Sequence, residues 1–347
     1  MKVDKEEILN YDEKKFLNSL NEKYQEWKSN PVYRKRVDMK DAPEEIRSME
    51  DIYDIPLVDM AEFKDHPEEL AIGETEFNLY SSGTTSGRRS KGPRTEEDFK
   101  KHRKFFNNLS QEMLPDELDY MALIAPSGKL LDNVPDPKIS NRSVFNYARW
   151  GFEDPYDSDS FVDFSGGEPE IEFDKLYKNL DEKEGDLGLF GTQKYILGFF
   201  KYLENNSLEL DLGERGAVAT GGGSAKEVDG EEFRSMCNKY LGIEEENQVD
   251  FYGMTESMLM TANKAGDENP DKKRVPSQGM VYVIDKDKLM NERKIEPVEN
   301  GEPGIAVFLD ALNGSHPGAI LTDDIVKKTG GEYGEEVRIE HLGRSSM

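Results

Sequence analysis

Between Tyr80 and Arg94 the sequence reads YSSGTTSGRRSKGPR, directly after a strand-like patch at Glu76 to Tyr80. The hydroxyls of Ser81, Ser82, Thr84 and Thr85 can donate to an anion, and Gly83 and Gly87 let backbone N–H groups come close. Arg88, Arg89, Lys91 and Arg94 add positive charge. The chemistry this combination suits is phosphate binding; the bland alternative for such a Ser/Gly run is a flexible polar turn. In a chain with 72 Asp and Glu against 45 Lys and Arg, formal net charge -27, a local knot of four cations calls for a reason.

Two common nucleotide signatures do not fit. A Walker A loop needs Gly, four residues, then Gly-Lys-Ser/Thr, and Gly83, Gly87 and Gly92 do not supply it. Gly221, Gly222 and Gly223 are followed by Ser224, Ala225 and Lys226, without the third glycine of a dinucleotide fingerprint.

Four more elements follow in order. The strand candidate Ala217 to Thr220 runs into the glycine turn Gly221 to Gly223. DFYGMTES spans Asp250 to Ser257, LTDDIV spans Leu321 to Val326, and LGR spans Leu342 to Arg344. With the loop at Tyr80 to Gly87, the set resembles the adenylate-forming superfamily of acyl-CoA synthetases, luciferases and peptide-synthetase adenylation domains. Within it, the chain is most similar to the acyl-protein synthetases of the bacterial luminescence fatty-acid reductase system. That likeness is carried by GTQKYILGFFKYL, LDLGERGAVATGGGSAK, FYGMTE and HPGAILTDDIV.

The resemblance implies a role for each matching residue. Ser81, Ser82, Gly83, Thr84, Thr85 and Gly87 would hold phosphate. Gly221, Gly222 and Gly223 would lie along the adenine, Tyr252 would stack on it, and Asp250 would accept from its amino group, with Gly253 beside them. Thr255 would bond the α-phosphate, Glu256 would hold Mg2+, Asp324 would accept from both ribose hydroxyls, and Arg344 would contact ribose or phosphate. These roles suit the residue types: an aromatic plane stacks on a base, a carboxylate takes a hard cation, and two carboxylate oxygens can serve two hydroxyls.

Three departures qualify the match. The loop reads GTTSGRRSKG where the family has GTTGxPKG, so Lys91, Arg88 and Arg89 compete for the place of the loop lysine. The small C-terminal domain that carries the family's catalytic lysine is expected to be absent, leaving Lys91 and Arg88 beside Thr255 and Glu256 as the catalytic candidates. No cysteine lies near the C-terminus to take an acyl group; Cys237, in FRSMCNKYLGI, is expected to be a buried structural thiol. An external thiol is therefore the expected acceptor: CoA, a carrier protein or an acyl reductase.

The elements that must position these residues alternate. Strand candidates are Tyr120 to Ala125, Ala217 to Thr220, Gln248 to Tyr252, Met280 to Ile284, Gly304 to Phe308 and Ala319 to Thr322. Helix candidates are Glu96 to Leu109, Asp174 to Leu180, Gln193 to Asn205 and Gly230 to Leu241. The expected class is α/β, the large N-terminal-type domain of adenylate-forming enzymes, with stacked mixed sheets and flanking helices. Residues 1 to about 50 read as a polar amphipathic helix with its stripe at Ile8, Leu9, Phe16, Leu17, Leu20, Tyr24 and Trp27. Residues 1–75 are expected to be a helical cap and connector, and 76–347 the adenylate-forming core. Lys264 to Arg274 is the clearest exposed, charged loop, and the acid pocket is expected from Ser143 to Phe152 and Gly188 to Phe200.

Composition narrows the classes. The net charge of -27 repels nucleic acid and anionic membrane, with no basic stripe to offset it, and it fits work in concentrated salt. One cysteine leaves no intrachain disulfide and no Cys-based zinc cluster, and the four histidines, His66, His102, His316 and His341, show no metal spacing. There is no export signal and no apolar run long enough to span a bilayer, so a cytoplasmic location is expected. The function expected is ATP- and Mg2+-dependent activation of a carboxylic acid, foremost a fatty acid, to an acyl adenylate, followed by transfer to a thiol. The rivals are a nucleotide-binding partner subunit without turnover and a phenylacetate-type CoA ligase.

Overall fold

A computed structural model describes residues 8–81, 89–116, 118–126, 147, 149–163, 170–213, 216–222, 228–292, 294–334 and 337–345. The chain divides into two compact units. The first comprises residues 1–102, 253–261 and 272–347, and the second 103–252 and 262–271.

In the first unit the N-terminal segment forms two helices where one amphipathic helix was expected. Glu13–Trp27 starts at Asp12, whose side chain accepts from the Lys15 amide, and buries Phe16, Leu20, Tyr24 and Trp27. Pro31–Lys40 starts at Asn30, whose side chain accepts from the Tyr33 amide at 2.9 Å. The break is local chemistry: Asn30 caps and Pro31, lacking an N–H, occupies the first turn. Trp27 Nε1 donates to the Asn313 carbonyl, tying the first helix to the far end of the chain.

The sheet of this unit runs in the order Gly279–Ile284, Pro303–Asp310, Ala319–Thr329, Arg338–Arg344, Lys273–Arg274, with antiparallel neighbours throughout. Val58–Asp59 pairs parallel with Ile320 and Leu321. Ile305 to Leu309 are all buried, so the strand Pro303–Asp310 is covered on both faces. Lys264 to Arg274 is less exposed than expected. Ala265 and Lys273 are buried, and Lys273 and Arg274 form a short strand against Ile339 and Arg338. A separate antiparallel hairpin, Phe77–Tyr80 with Lys91–Arg94, places Tyr80 opposite Lys91.

The second unit is built on parallel strands in the order Gln248–Gly253, Ala217–Gly221, Leu187–Gly191, Tyr120–Leu123, Asp157–Ser160. Helices Phe173–Glu182, Gln193–Asn205 and Gly230–Leu241 supply Leu176, Leu180, Phe199, Phe200, Phe233 and Cys237 to one core with Leu189 and Val218. Leu187–Gly191 escapes the sequence patterns because it is short and two of its five residues are glycine. A Cβ on Gly188 would come within 2.7 Å of Met121 Cε, so close packing on the sheet face accounts for that glycine. The mixed α/β class read from the sequence is the class the structure has.

Candidate functional site

In the first unit, the base of the hydroxyl-rich loop is closed at its two ends. Ser81 N donates to the Ser90 carbonyl at 3.1 Å, Ser90 N to Ser81 Oγ at 2.9 Å, and Arg89 Nη1 to the Ser81 carbonyl at 2.9 Å. Ser81 thus serves as a clasp for the loop. Lys91 is half-buried on the returning strand. Ser82, Gly83, Thr84, Thr85, Gly87 and Arg88 lie outside the described residues.

The returning strand carries the side chain that joins this hairpin to the acidic motif. Arg94 is fully buried; its Nη2 donates to the Thr255 carbonyl at 2.9 Å, its Nη1 to the Pro93 carbonyl at 2.9 Å, and its guanidinium also meets His316 Nε2. Gly92 lies against the same carbonyl, where an added Cβ would sit 2.8 Å from Thr255 O. Beside it Glu256 is 2% exposed. Burial raises its carboxyl above the ordinary carboxylate range, while a hydrogen bond from Ser90 and the charges of Lys64 and Arg94 pull the other way. Thr255 is buried too. The turn that follows is held by Asp310, which accepts from Ser257 Oγ at 3.0 Å, Met258 N at 2.6 Å and Leu312 N at 3.0 Å. Two predicted catalytic residues, Thr255 and Glu256, are therefore fixed against the foot of the predicted phosphate loop.

Asp324 is 3% exposed and sits on the strand Ala319–Thr329 directly opposite Arg344. Its Oδ1 faces His341 Nε2 at 3.1 Å and Arg344 Nε at 3.5 Å, and its amide donates to Thr322 Oγ1. Asp324 of LTDDIV, Arg344 of LGR and His341, which precedes that motif, thereby form one cluster of an acid and two basic side chains. Asp323 points differently: its Oδ1 is buried with no hydrogen-bond partner among the described residues, while its carbonyl accepts from the Ser345 amide at 2.6 Å.

In the second unit, Asp250 Oδ1 accepts from Thr220 Oγ1 at 2.8 Å across adjacent parallel strands. Gly221 ends its strand and Gly222 adopts φ +74°, with nothing within 4 Å of an added Cβ, so the turn has the backbone freedom and open space a ligand contact needs. Gly223 lies outside the described residues. Tyr252 is partly exposed at the end of its strand. Gly253, the first residue of the next segment of the first unit, has no room for a side chain, since a Cβ would fall 1.9 Å from Met260 Sδ. In the two stretches expected to line the acid pocket, Trp150, Phe152, Leu189 and Phe199 are buried as core; the Phe152 and Phe190 rings lie 4.2 Å apart.

Sequence reasoning did not single out Ser90, Asp310 or His341, and it saw Arg94 only as one of four loop cations. No linear signal distinguishes Arg94 from Arg89; Arg89 turns to the Ser81 carbonyl at the loop base, and Arg94, at the end of the strand Lys91–Arg94, turns inward to Thr255. His316 is fully buried against Arg94 and packs edge-on to Phe63 with ring centroids 4.8 Å apart. Cys237 is fully buried, and burial pushes its thiol pKa well up.

The sequence matches the family of acyl-protein synthetases, LuxE, over residues 2–346. The chain belongs to this family. A long-chain-fatty-acid–luciferin-component ligase of Aliivibrio fischeri is 26% identical over 205 residues, which cover 57% of this chain and 50% of that protein. The chain thus spans about half the length of the curated relative it matches. Among solved structures, an open conformation of 2-hydroxyisobutyryl-CoA ligase, in complex with 2-HIB-AMP and CoA, superposes with a TM-score of 0.66 at 16% identity, covering 94% of this chain and 74% of that one. A long-chain-fatty-acid-CoA ligase from Archaeoglobus fulgidus gives 0.53 at 13% identity, covering 80% and 52%. The chain thus shares its fold with these CoA ligases. No helix among the described residues is long and apolar enough to cross a membrane. No cluster of three metal-ligating side chains occurs among them.

Proposed function

We propose that this acyl-protein synthetase family member activates an organic carboxylic acid, foremost a fatty acid, with ATP and Mg2+ and passes the acyl group to an external thiol. The observation that carries this reading is the junction in the first unit, where Arg94 binds the Thr255 carbonyl and Ser90 meets Glu256. A phosphate-binding loop and a carboxylate suited to a hard cation are useful together only if a fixed element joins them, and this junction is such an element.

In the first step a carboxylate oxygen attacks the α-phosphorus, the bond from that phosphorus to the bridging oxygen breaks, and pyrophosphate leaves with the bonding electrons. The protein's part is positioning and charge stabilisation. Ser81 and the loop hydroxyls Ser82, Thr84 and Thr85 would donate to phosphate, with Lys91 or Arg88 supplying charge, and Thr255 would hold the α-phosphate. Glu256 fits Mg2+ by its chemistry: a buried carboxylate whose charge the fold only partly compensates gains from a divalent cation. Mg2+ would offset the charge gathering on the leaving pyrophosphate. Asp324, steadied by His341 and Arg344, would take the ribose hydroxyls, and Tyr252 and Asp250 are proposed for the adenine. A thiol of CoA, a carrier protein or an acyl reductase then attacks the mixed anhydride, forming a thioester and releasing AMP. Cys237 is too deeply buried to be that thiol.

The test is carboxylate-dependent exchange of labelled pyrophosphate into ATP, run with fatty, aryl and amino acids at low and high salt. Exchange with at least one acid, abolished by Glu256→Ala, supports the reading. ATP binding by calorimetry with no exchange for any acid overturns it and leaves a nucleotide-binding subunit.

A further inference from the structure

A second place in the first unit has the makings of a ligand site. A cavity of about 210 Å³ opens between Tyr53, Tyr282, Pro297, Val298, Lys328 and Gly330. Tyr282 projects from the strand Gly279–Ile284, is 1% exposed, and meets the Tyr53 ring edge-on at 5.2 Å. Its hydroxyl has no hydrogen-bond partner among the described residues. A buried phenol left without a partner is a standing penalty that a ligand or water atom removes. Lys328 reaches the same cavity from the strand Ala319–Thr329 and is half-buried. Its ammonium forms no ion pair among the described residues; burial lowers its pKa, and the charge of Glu332 only partly restores it. The Glu332 carboxylate is itself engaged by the Tyr53 hydroxyl.

The walls are held by backbone bonds. Val298 N donates to the Val283 carbonyl at 2.9 Å, and Gly301 N to the Lys328 carbonyl at 2.9 Å. Asn300 Nδ2 donates to the Gly330 carbonyl at 2.5 Å. The opening therefore does not depend on a ligand to shape it. Tyr282 and Lys328 line this space together with two apolar residues, Pro297 and Val298.

We propose that this cavity binds a small organic monocarboxylate, its carboxylate held by Lys328 and Tyr282 and its apolar body resting on Pro297 and Val298. Drug-sized ligands occupy roughly 300–1,000 Å³, so a nucleotide or a long acyl chain is too large. The Glu299 and Glu332 carboxylates on the lining disfavour multiply charged anions such as phosphate. The site shares no lining residue with the Ser90, Arg94 and Glu256 junction, and the inference stands apart from the proposed adenylation.

Binding of 4-fluorobenzoate to the full chain can be followed by fluorine NMR, with butyrate as the aliphatic arm by calorimetry. Saturable binding is expected with a Kd on the order of 1 mM, as befits a ligand of this size. Lys328→Met is expected to weaken it at least tenfold and Tyr282→Phe at least threefold. Glu256→Ala, which addresses the other site, should leave it unchanged. The proposal is overturned by a lack of saturation up to about 20 mM, which is the result if the cavity takes water only. It is equally overturned by undiminished binding in both cavity variants, or by inorganic phosphate binding more tightly than either carboxylate. Pyrophosphate exchange in Lys328→Met, retained at the wild-type level, separates this result from any failure of the adenylation reading.

Discussion

Arg94 Nη2 lies 2.9 Å from the carbonyl oxygen of Thr255, so a buried guanidinium bridges two sequence motifs 161 residues apart. The same guanidinium meets His316 and the Pro93 carbonyl, and its planar fork serves all three at once. Arg94→Lys keeps the charge and loses the fork. The expected outcome is a loss of about 2 kcal/mol in urea unfolding and at least a tenfold fall in pyrophosphate exchange. Wild-type exchange in a folded Arg94→Lys protein would show that the junction does not position Thr255.

Gly92 tests the same junction from the backbone side. Alanine there would place its Cβ 2.8 Å from a main-chain oxygen that cannot swing away. Gly92→Ala is expected to destabilise the chain by about 1–3 kcal/mol, read as a lower urea midpoint at unchanged slope. An unaltered midpoint counts against the close approach.

The histidines near Arg94 set a pH dependence. Burial first, and then the charge of Arg94, holds the pKa of His102 and of His316 well below the ordinary 6.5. Below about pH 6.5 the unfolded chain binds protons that the folded chain refuses. Their contribution is therefore full above that pH and is lost as pH falls, by up to about 1.4 kcal/mol per pH unit for each. Glu256 and Asp310, raised by burial, act in the opposite sense: their contribution is full at low pH and is lost as pH rises. Comparison of His102→Gln with the wild type between pH 7 and 5.5 isolates the histidine contribution, and the variant is expected to show the flatter acid limb. Parallel curves would mean that His102 is protonated in the fold.

Asp324 carries the ribose proposal. Asp324→Ala removes the acceptor that His341 and Arg344 orient. With charged hydrogen bonds contributing about 1.5–3 kcal/mol each, KM for ATP in the exchange assay should rise at least tenfold. His341→Gln should raise it less, because it leaves the carboxylate in place. An unchanged KM in Asp324→Ala would move the ribose elsewhere.

Cys237 is shut into the core with Leu241 and Phe233. Cys237→Ala should retain acyl transfer to an external thiol, and iodoacetamide should leave the folded wild-type chain unlabelled. Loss of transfer in a folded Cys237→Ala protein, or rapid labelling, would make this thiol the acyl acceptor after all.

By itself the sequence determined what is local. A short apolar run located the strand Ala217–Gly221, while alternating and helical periods located Gln248–Gly253 and helices such as Gln193–Asn205 and Gly230–Leu241, because burial of one face writes its period into neighbouring residues. Residue types in order, from YSSGTTSG to LGR, pointed to the family. The N-terminal break was also written locally, in Asn30 and Pro31, although the longer apolar stripe obscured it.

Only the tertiary structure decided which of several equivalent residues takes each place. Arg88, Arg89, Lys91 and Arg94 are alike as letters, yet Arg89 closes the loop base and Arg94 reaches Thr255. His341 became Asp324's partner through the register of Ala319–Thr329 against Arg338–Arg344, including its irregularity between Ile325 and Val326. Lys273 turned inward as part of a short strand, and Tyr282 and Lys328 met at one cavity. The physical reason is the same in each case: periodicity and caps act over a few residues, whereas a contact between residues 161 positions apart depends on how every intervening element packs.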